Sequence, residues 1–336
     1  MSKKVFIIIF MFISMGTIVA CFHAAHAAEL GPLHVQNRYP LYLMFLTPGP
    51  DTPNVIETGR LLVSLSADYT SLYIDEQSRD WSVLMDMEMT VVDLGLTYGV
   101  TQRMNLSLKL PFISMNGGFL DKPLASYHDF FGFPDYGRPD GPVDEFGYQL
   151  TVDGDAWFDA QPGGLHPGDG VVSAKIQLAG GDNAQGLCSS LLAVLKIPTG
   201  DSGHGFGSGQ YDQALMILNR YRQSPLILYL NPGVILLSDP ETDGADVSVN
   251  NMMTILTGIE YEASDRWSWV GQLNYLTSPL AHTGIPQLDQ DSLELALGFC
   301  LSLSDRSVLE FAFCEDLTRS APDFTVHAGI RWTIGP

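Results

Sequence analysis

From residue 60 onward, apolar and polar residues alternate with period two in runs that short polar phrases interrupt. Leu94-Gly95-Leu96-Thr97-Tyr98-Gly99-Val100 leads into Thr101-Gln102-Arg103, and Met104-Asn105-Leu106-Ser107-Leu108-Lys109-Leu110 leads out of it. Near-copies of that phrase, Ser264-Asp265-Arg266 and Ser304-Asp305-Arg306, sit between comparable runs. Tight polar turns between such runs predict a meander of antiparallel strands. Twelve strands follow, at 60–73, 81–100, 103–114, 170–179, 188–197, 211–220, 225–237, 249–261, 267–277, 291–303, 307–316 and 323–334. Every second connection is short, and the others are longer, with more than fifty residues between Ser114 and Gly170. Short turns at one end, long loops at the other and an even strand count predict an all-β fold: an antiparallel up-and-down transmembrane β-barrel of about 12 strands.

The alternation also assigns faces. On the last strand Phe324, Val326, Ala328, Ile330, Trp332 and Ile334 are expected against lipid, with Thr325, His327, Gly329 and Arg331 pointing inward. Leu293, Leu295, Leu297, Phe299 and Leu301 alternate in the same way with Ser292, Glu294, Ala296, Gly298 and Cys300. The second strand is irregular, because its apolar phase switches from Met85-Met87-Met89-Val91 to Val92-Leu94-Leu96-Tyr98. A bulge, or an extension beyond the membrane, is expected there. The inward set is read as Glu88, Lys109, Lys175, Lys196, Glu260, Glu294, Glu310, His327 and Arg331. These candidate lumen-lining residues either pair across a filled interior or line a polar conduit.

The N-terminus changes the picture by supplying an address. Lys3-Lys4 precedes an apolar stretch from Val5 to Ala20, and Ala25-His26-Ala27 offers small residues for cleavage between Ala27 and Ala28. A signal peptide at 1–27 is expected, then an N-terminal extension at 28–59 and the barrel at 60–336 with a long outer loop at 115–169. The rival reading is a lipidated Cys21 after Ile18-Val19-Ala20. Either sends the chain out of a bacterial cytoplasm, to the outer membrane.

Formal net charge is −21, and the leader holds two of the lysines, which argues against nucleic acid as a partner. Hydrophobic residues make up 46% of the chain and mean hydropathy is +0.10, a balance that a lipid-facing barrel wall accommodates. Beyond the leader the cysteines are Cys188, Cys300 and Cys314, too few for a complete disulfide framework. If Leu301 pairs with Leu309, Cys300 faces Glu310 and Cys314 faces Ala296, so a bridge between them needs a four-residue slip.

No segment carries recognisable catalytic or cofactor chemistry, and neither a metal nor a cofactor is expected. Gly200-Asp201-Ser202-Gly203-His204-Gly205-Phe206-Gly207-Ser208-Gly209 is glycine-rich, but no Gly-Lys-Ser/Thr and no helix follow it. Asp153-Gly154-Asp155 with Asp159 lacks the terminal glutamate of a calcium loop. His128-Asp129 near Ser126 is half of a hydrolase constellation at a spacing that does not enforce a bond. His128, Asp129, Phe130 and Phe131 are read instead as residues folding the outer loop into the barrel mouth.

The segments outside the strands resemble a bacterial domain-of-unknown-function family, number 3187. The resemblance rests, in order, on Gly31-Pro32-Leu33 through Asn37-Arg38-Tyr39-Pro40, Asp86-Met87-Glu88, Tyr98-Gly99-Val100-Thr101-Gln102-Arg103, Pro111-Phe112 and Gly117-Gly118-Phe119-Leu120-Asp121. His128-Asp129-Phe130-Phe131-Gly132-Phe133-Pro134, Gly137-Arg138, Lys196-Ile197-Pro198-Thr199-Gly200-Asp201 and Gly207-Ser208-Gly209 continue it. It implies an outer-membrane protein without an established activity, similar in style to the barrels of a phenol-degradation family. It transfers no catalytic residue. The expected function is a pore or binding protein for a small, apolar or aromatic solute. The alternatives are a structural or adhesive barrel with a filled lumen and a barrel enzyme. Expected partners are outer-membrane lipid and lipopolysaccharide, the barrel-assembly machinery and a small-molecule solute, with oligomeric state left open.

Overall fold

The computed structural model of the protein describes residues 29–124, 126, 143–181, 185–241 and 244–335. The leader, the cleavage site at Ala27 and Ala28, and His128, Asp129, Phe130 and Phe131 lie outside the described residues.

The strands are β1 Leu61–Gln77, β2 Trp81–Thr101, β3 Met104–Asn116, β4 Gly147–Val152, β5 Asp155–Asp159, β6 His166–Pro167, β7 Gly170–Ala179, β8 Gly186–Ile197, β9 Asp212–Gln223, β10 Leu226–Leu236, β11 Met252–Ser264, β12 Trp267–Leu276, β13 Ser292–Ser304, β14 Ser307–Asp316 and β15 Phe324–Ile334. Each strand from β7 to β15 pairs antiparallel with the next, β3 joins β7, β2 joins β3, and β1 bonds both β2 and β15. The circuit closes as a 12-stranded barrel, leaving no free edge in the wall. The short turns define the inner end and the long connections the outer end.

The recurring turn phrase builds the same device three times. A hydroxyl accepts the amide of the arginine two residues on: Thr101 from Arg103 (3.2 Å), Ser264 from Arg266 and Ser304 from Arg306 (both 3.3 Å). The ladder slips by one residue beside each, between Gly99 and Thr101, Glu262 and Ser264, and Ser302 and Ser304. The arginine carbonyl then accepts from the following strand, as Arg103 does from Gln177, Arg266 from Ser302 and Arg306 from Thr333 (all 2.8 Å). The short polar side chain thus completes each turn, and the bulge supplies its extra twist.

The registers carry the expected faces. Thr325 and His327 are buried while Val326 and Ile330 are only half-buried, and Glu294, Ala296 and Cys300 are buried while Leu293, Leu295 and Leu297 are half-buried. Outward aromatic rings line up near the inner end, Trp267 stacking on Phe299 at 4.4 Å and Phe299 on Phe311 at 5.8 Å, as an interfacial girdle requires. Cys300 stands opposite Glu310 and Cys314 opposite Ala296, and both thiols are free.

In β2 the expected bulge is absent, since its register with β1 runs unbroken from Ser82 to Tyr98. What changes is the filling of the barrel. Val83, Met85, Met87, Met89 and Val91 face inward and are buried, and Asp93 and Thr97 continue the same face. Beside β2 the outer part of the lumen is apolar and the inner part polar, so the apolar residues swap sides without any break in the strand. The extension is present: β2 runs past the end of β3 and bonds β4 through residues 81–86.

Candidate functional site

Residues 29–59 occupy the lumen as a hairpin that rises and returns. The ascending limb starts near the inner end, where the amides of Leu30 and Gly31 donate to the Glu260 carboxylate (both 3.1 Å), which also accepts from the Tyr229 hydroxyl (2.6 Å). Glu29 pairs with Arg220 at 3.1 Å in full burial. Further up, Gln272 offers the hairpin what a neighbouring strand would, accepting from the Leu33 amide (3.1 Å) and donating to its carbonyl (3.0 Å). Extended backbone surrounded by wall side chains has no water to satisfy it, so such a pair of bonds is needed. Asn37 donates to Ser292 at the outer end (2.6 Å).

The Asn37 carboxamide oxygen accepts from the Tyr39 amide (2.7 Å), and Pro40 opens one helical turn, Pro40–Leu43, that reverses the chain. Tyr39, Leu41, Tyr42, Met44 and Phe45 bury themselves there against Met85, Met87 and Met89 of the wall. The β4–β5 hairpin joins the same cluster: Tyr148 packs on Phe158 (4.6 Å between ring centroids), and its hydroxyl donates to the Gly205 carbonyl (3.1 Å). The outer mouth is capped by an apolar, aromatic lid made of both hairpins.

The descending limb is tied by the lysines. Lys196 donates to the Met44 carbonyl (2.8 Å) and pairs with Asp169 (2.7 Å) and Asp212 (3.1 Å), whose carboxylate also accepts from the Leu46 amide (3.0 Å). Lys175 pairs with Asp51 (2.7 Å) and donates to the Thr52 carbonyl (2.8 Å). Ser190 and Asn231 donate to the carbonyls of Pro53 and Asp51, and the limb leaves the lumen where Gly59 bonds Gly99 (2.8 Å).

Arg38 clamps the hairpin at mid-height, its guanidinium buried between Asp68 of β1 (2.6 Å) and Asp93 of β2 (2.7 Å). Asp68 is shared with His327 (2.6 Å), which reaches Glu310 (3.2 Å), and Glu310 in turn meets His34 of the hairpin (3.0 Å) and Arg331 (3.5 Å).

Among the residues read as lumen-lining, Lys109, Lys175, Lys196, Glu260, Glu310 and Arg331 therefore bond the hairpin or the groups that hold it. His327 sits one contact behind them, and Glu294 is buried on the inward face of β13. Glu88 does not belong to this set. It lies on the opposite face of β2 from Met87 and Met89, bonded to the Tyr69 hydroxyl and to the amide of Phe119 (2.7 Å). The strand keeps its parity through the apolar switch, which puts Glu88 outside, under residues 117–120.

Asp68, Asp93, Arg220 and Arg38 were missed. Alternation alone places Asp68 and Asp93 inward, but the clamp needs Arg38, which arrives from a segment with no periodicity.

The model of a family described as "Protein of unknown function (DUF3187)" matches residues 8–334. No curated protein matches the chain. Among solved structures, the COG4313 outer membrane channel from Pseudomonas putida F1 is similar at a TM-score of 0.57 and 14% identity, over 86% of this chain and 100% of that one. The Pseudomonas putida toluene transporter TodX aligns at 0.41 and 10% identity, over 89% and 98%. The CymD monoaromatic hydrocarbon channel aligns at 0.40 and 12%, over 84% and 89%. The first of these likenesses shows a common outer-membrane barrel fold.

Proposed function

We propose that this chain, which belongs to the DUF3187 family of proteins of unknown function, is an outer-membrane channel for small apolar or aromatic solutes, closed by its own N-terminal hairpin. One observation carries the reading. The wall does not fill its own interior: inward positions such as Ser64, Ser66, Gly95, Thr97, Ala296, Ala312 and Gly329 are small, and a separate, polar-tethered segment occupies the space. Wall side chains fill the interior of a small barrel, whereas a wider one encloses a cavity or channel. The space that the hairpin occupies is lined by methionines of β2 toward the outer mouth, where the β4–β5 hairpin also packs, and by polar groups below. That order suits a solute that partitions in from an apolar side and exits to water. Likeness of fold to a protein named an outer membrane channel agrees with it. The leader at 1–27 then serves export, and the solute is the partner of the lumen.

The test is deletion of residues 29–50 behind the intact leader. In planar bilayers the deleted barrel should give discrete conductance steps larger than those of the full chain. Liposomes containing it should take up benzyl alcohol faster than empty ones. A correctly inserted deletion barrel that neither conducts nor passes solute would move the assignment to a structural barrel, the reading that the dense tethering of the hairpin favours.

A further inference from the structure

The hairpin leaves part of the lumen empty. Between its limbs and the inward faces of β1, β2, β3 and β7 lies a cavity of about 440 Å³, within the size range of small-molecule sites. It exists because its wall is built of small hydroxyl residues, Ser64, Ser66, Thr97, Ser107 and Ser173, around Gly95.

The charges at this cavity are unevenly used. Lys175 is matched by Asp51 at 2.7 Å, Lys196 by Asp169 at 2.7 Å, and Arg331 shares Glu310 with His34. Lys109 is different. Its nearest carboxylate, Asp93, is 3.9 Å away and already accepts from Arg38 at 2.7 Å. Among the described residues its ammonium makes one hydrogen bond, to the Gln36 side-chain oxygen of the hairpin (2.5 Å), out of three donors. With 31% of its side chain exposed inside the barrel, Lys109 holds its carboxylate only through a long contact and, among the described residues, turns two open donors toward a hydroxyl-lined space.

We propose that this cavity binds a small aromatic carboxylate, its carboxylate on Lys109 and the neighbouring serine and threonine hydroxyls. A carboxylate accepts several hydrogen bonds, and those to an ammonium are the strong, charge-assisted kind. The aromatic body is chosen by the apolar cluster of β2 and the hairpin turn at the outer mouth, past which the solute arrives. This choice of solute class rests on the channel reading. Gln36 also donates to the Thr47 carbonyl of the other limb (2.6 Å), so a ligand that takes its place on Lys109 acts at the junction of the two limbs.

The experiment is calorimetric titration of the full chain, purified in detergent, with benzoate and with its neutral counterpart benzyl alcohol. Benzoate should bind at least about tenfold more tightly. Lys109→Met should bring benzoate down to the alcohol, and Lys109→Arg should keep most of the difference, each variant first shown to migrate as a folded barrel before boiling. Equal binding of the two compounds, no benzoate binding, or benzoate binding indifferent to Lys109→Met would overturn the site. Liposome flux separates the two readings: passage of benzyl alcohol with no preference for benzoate keeps the channel and removes the site. Lys109-dependent binding without flux does the reverse.

Discussion

Removing the Arg38 guanidinium is expected to release the hairpin. In Arg38→Met the side chain keeps its length and apolar stem, so the main loss is charge and hydrogen bonding. Asp68 and Asp93, only 1% and 7% exposed, are then left without the cation that bonds both. Breaking a buried ion pair by deleting one partner costs about 3–5 kcal/mol, because the remaining charge stays desolvated. Here His327 still meets Asp68 at 2.6 Å and Lys109 stands 3.9 Å from Asp93, which argues for the lower end, about 3 kcal/mol. At about 1.4 kcal/mol per factor of ten, the docked-to-released ratio falls roughly a hundredfold. Planar-bilayer recording reads this as a rise in open probability in a barrel that still resists unboiled sodium dodecyl sulfate. Adding Asp68→Asn and Asp93→Asn to Arg38→Met removes the stranded charges and should return most of the closure. An Arg38→Met barrel that inserts normally and opens no more often than the wild type would refute the clamp, and so would a triple variant as open as the single one.

Gln272→Leu leaves the Leu33 amide and carbonyl buried without partners, at roughly 1–3 kcal/mol for each group, so hydrogen exchange at Leu33 should speed at least about tenfold; unchanged exchange would contradict the pairing. Leu295→Arg places a charge toward lipid at a cost of about 2–4 kcal/mol near the midplane and should prevent stable insertion. Ala296→Arg should instead insert but eject the ascending limb and raise conductance, because Ala296 is fully buried in a cluster with Leu30, Leu33 and Val35; equal insertion with equal closure would show the faces to be misassigned. Cys300 and Cys314 should both label with a thiol reagent after unfolding without reductant, and protection of the pair would indicate a different register of β13 on β14.

The twelve strands of the wall, their turn chemistry and most of their inside and outside were legible in the sequence, because a half-buried strand writes its environment into every second residue, whereas β4, β5 and β6 fall in the segment read as an outer loop. Thr101-Gln102-Arg103 and its two relatives marked the inner turns, and the pairing of Cys300 with Glu310 followed from simple counting across one of them. The switch in β2 was legible as an anomaly but not as its cause. A strand can record that its neighbour is apolar, yet not that the neighbour is a buried cluster of the same chain rather than lipid. That ambiguity placed Glu88 on the wrong face. Residues 29–59 carry no period, because a hairpin surrounded on every side has no exposed face to alternate with. Their bonds run to side chains such as Gln272, Glu260 and Lys196, more than 150 residues away in sequence, and only closure of the barrel brings those groups around them. Local alternation therefore determined the wall, and tertiary structure alone decided that Arg38 meets Asp68 and Asp93, that the lumen is occupied, and that Lys109 faces the space left over.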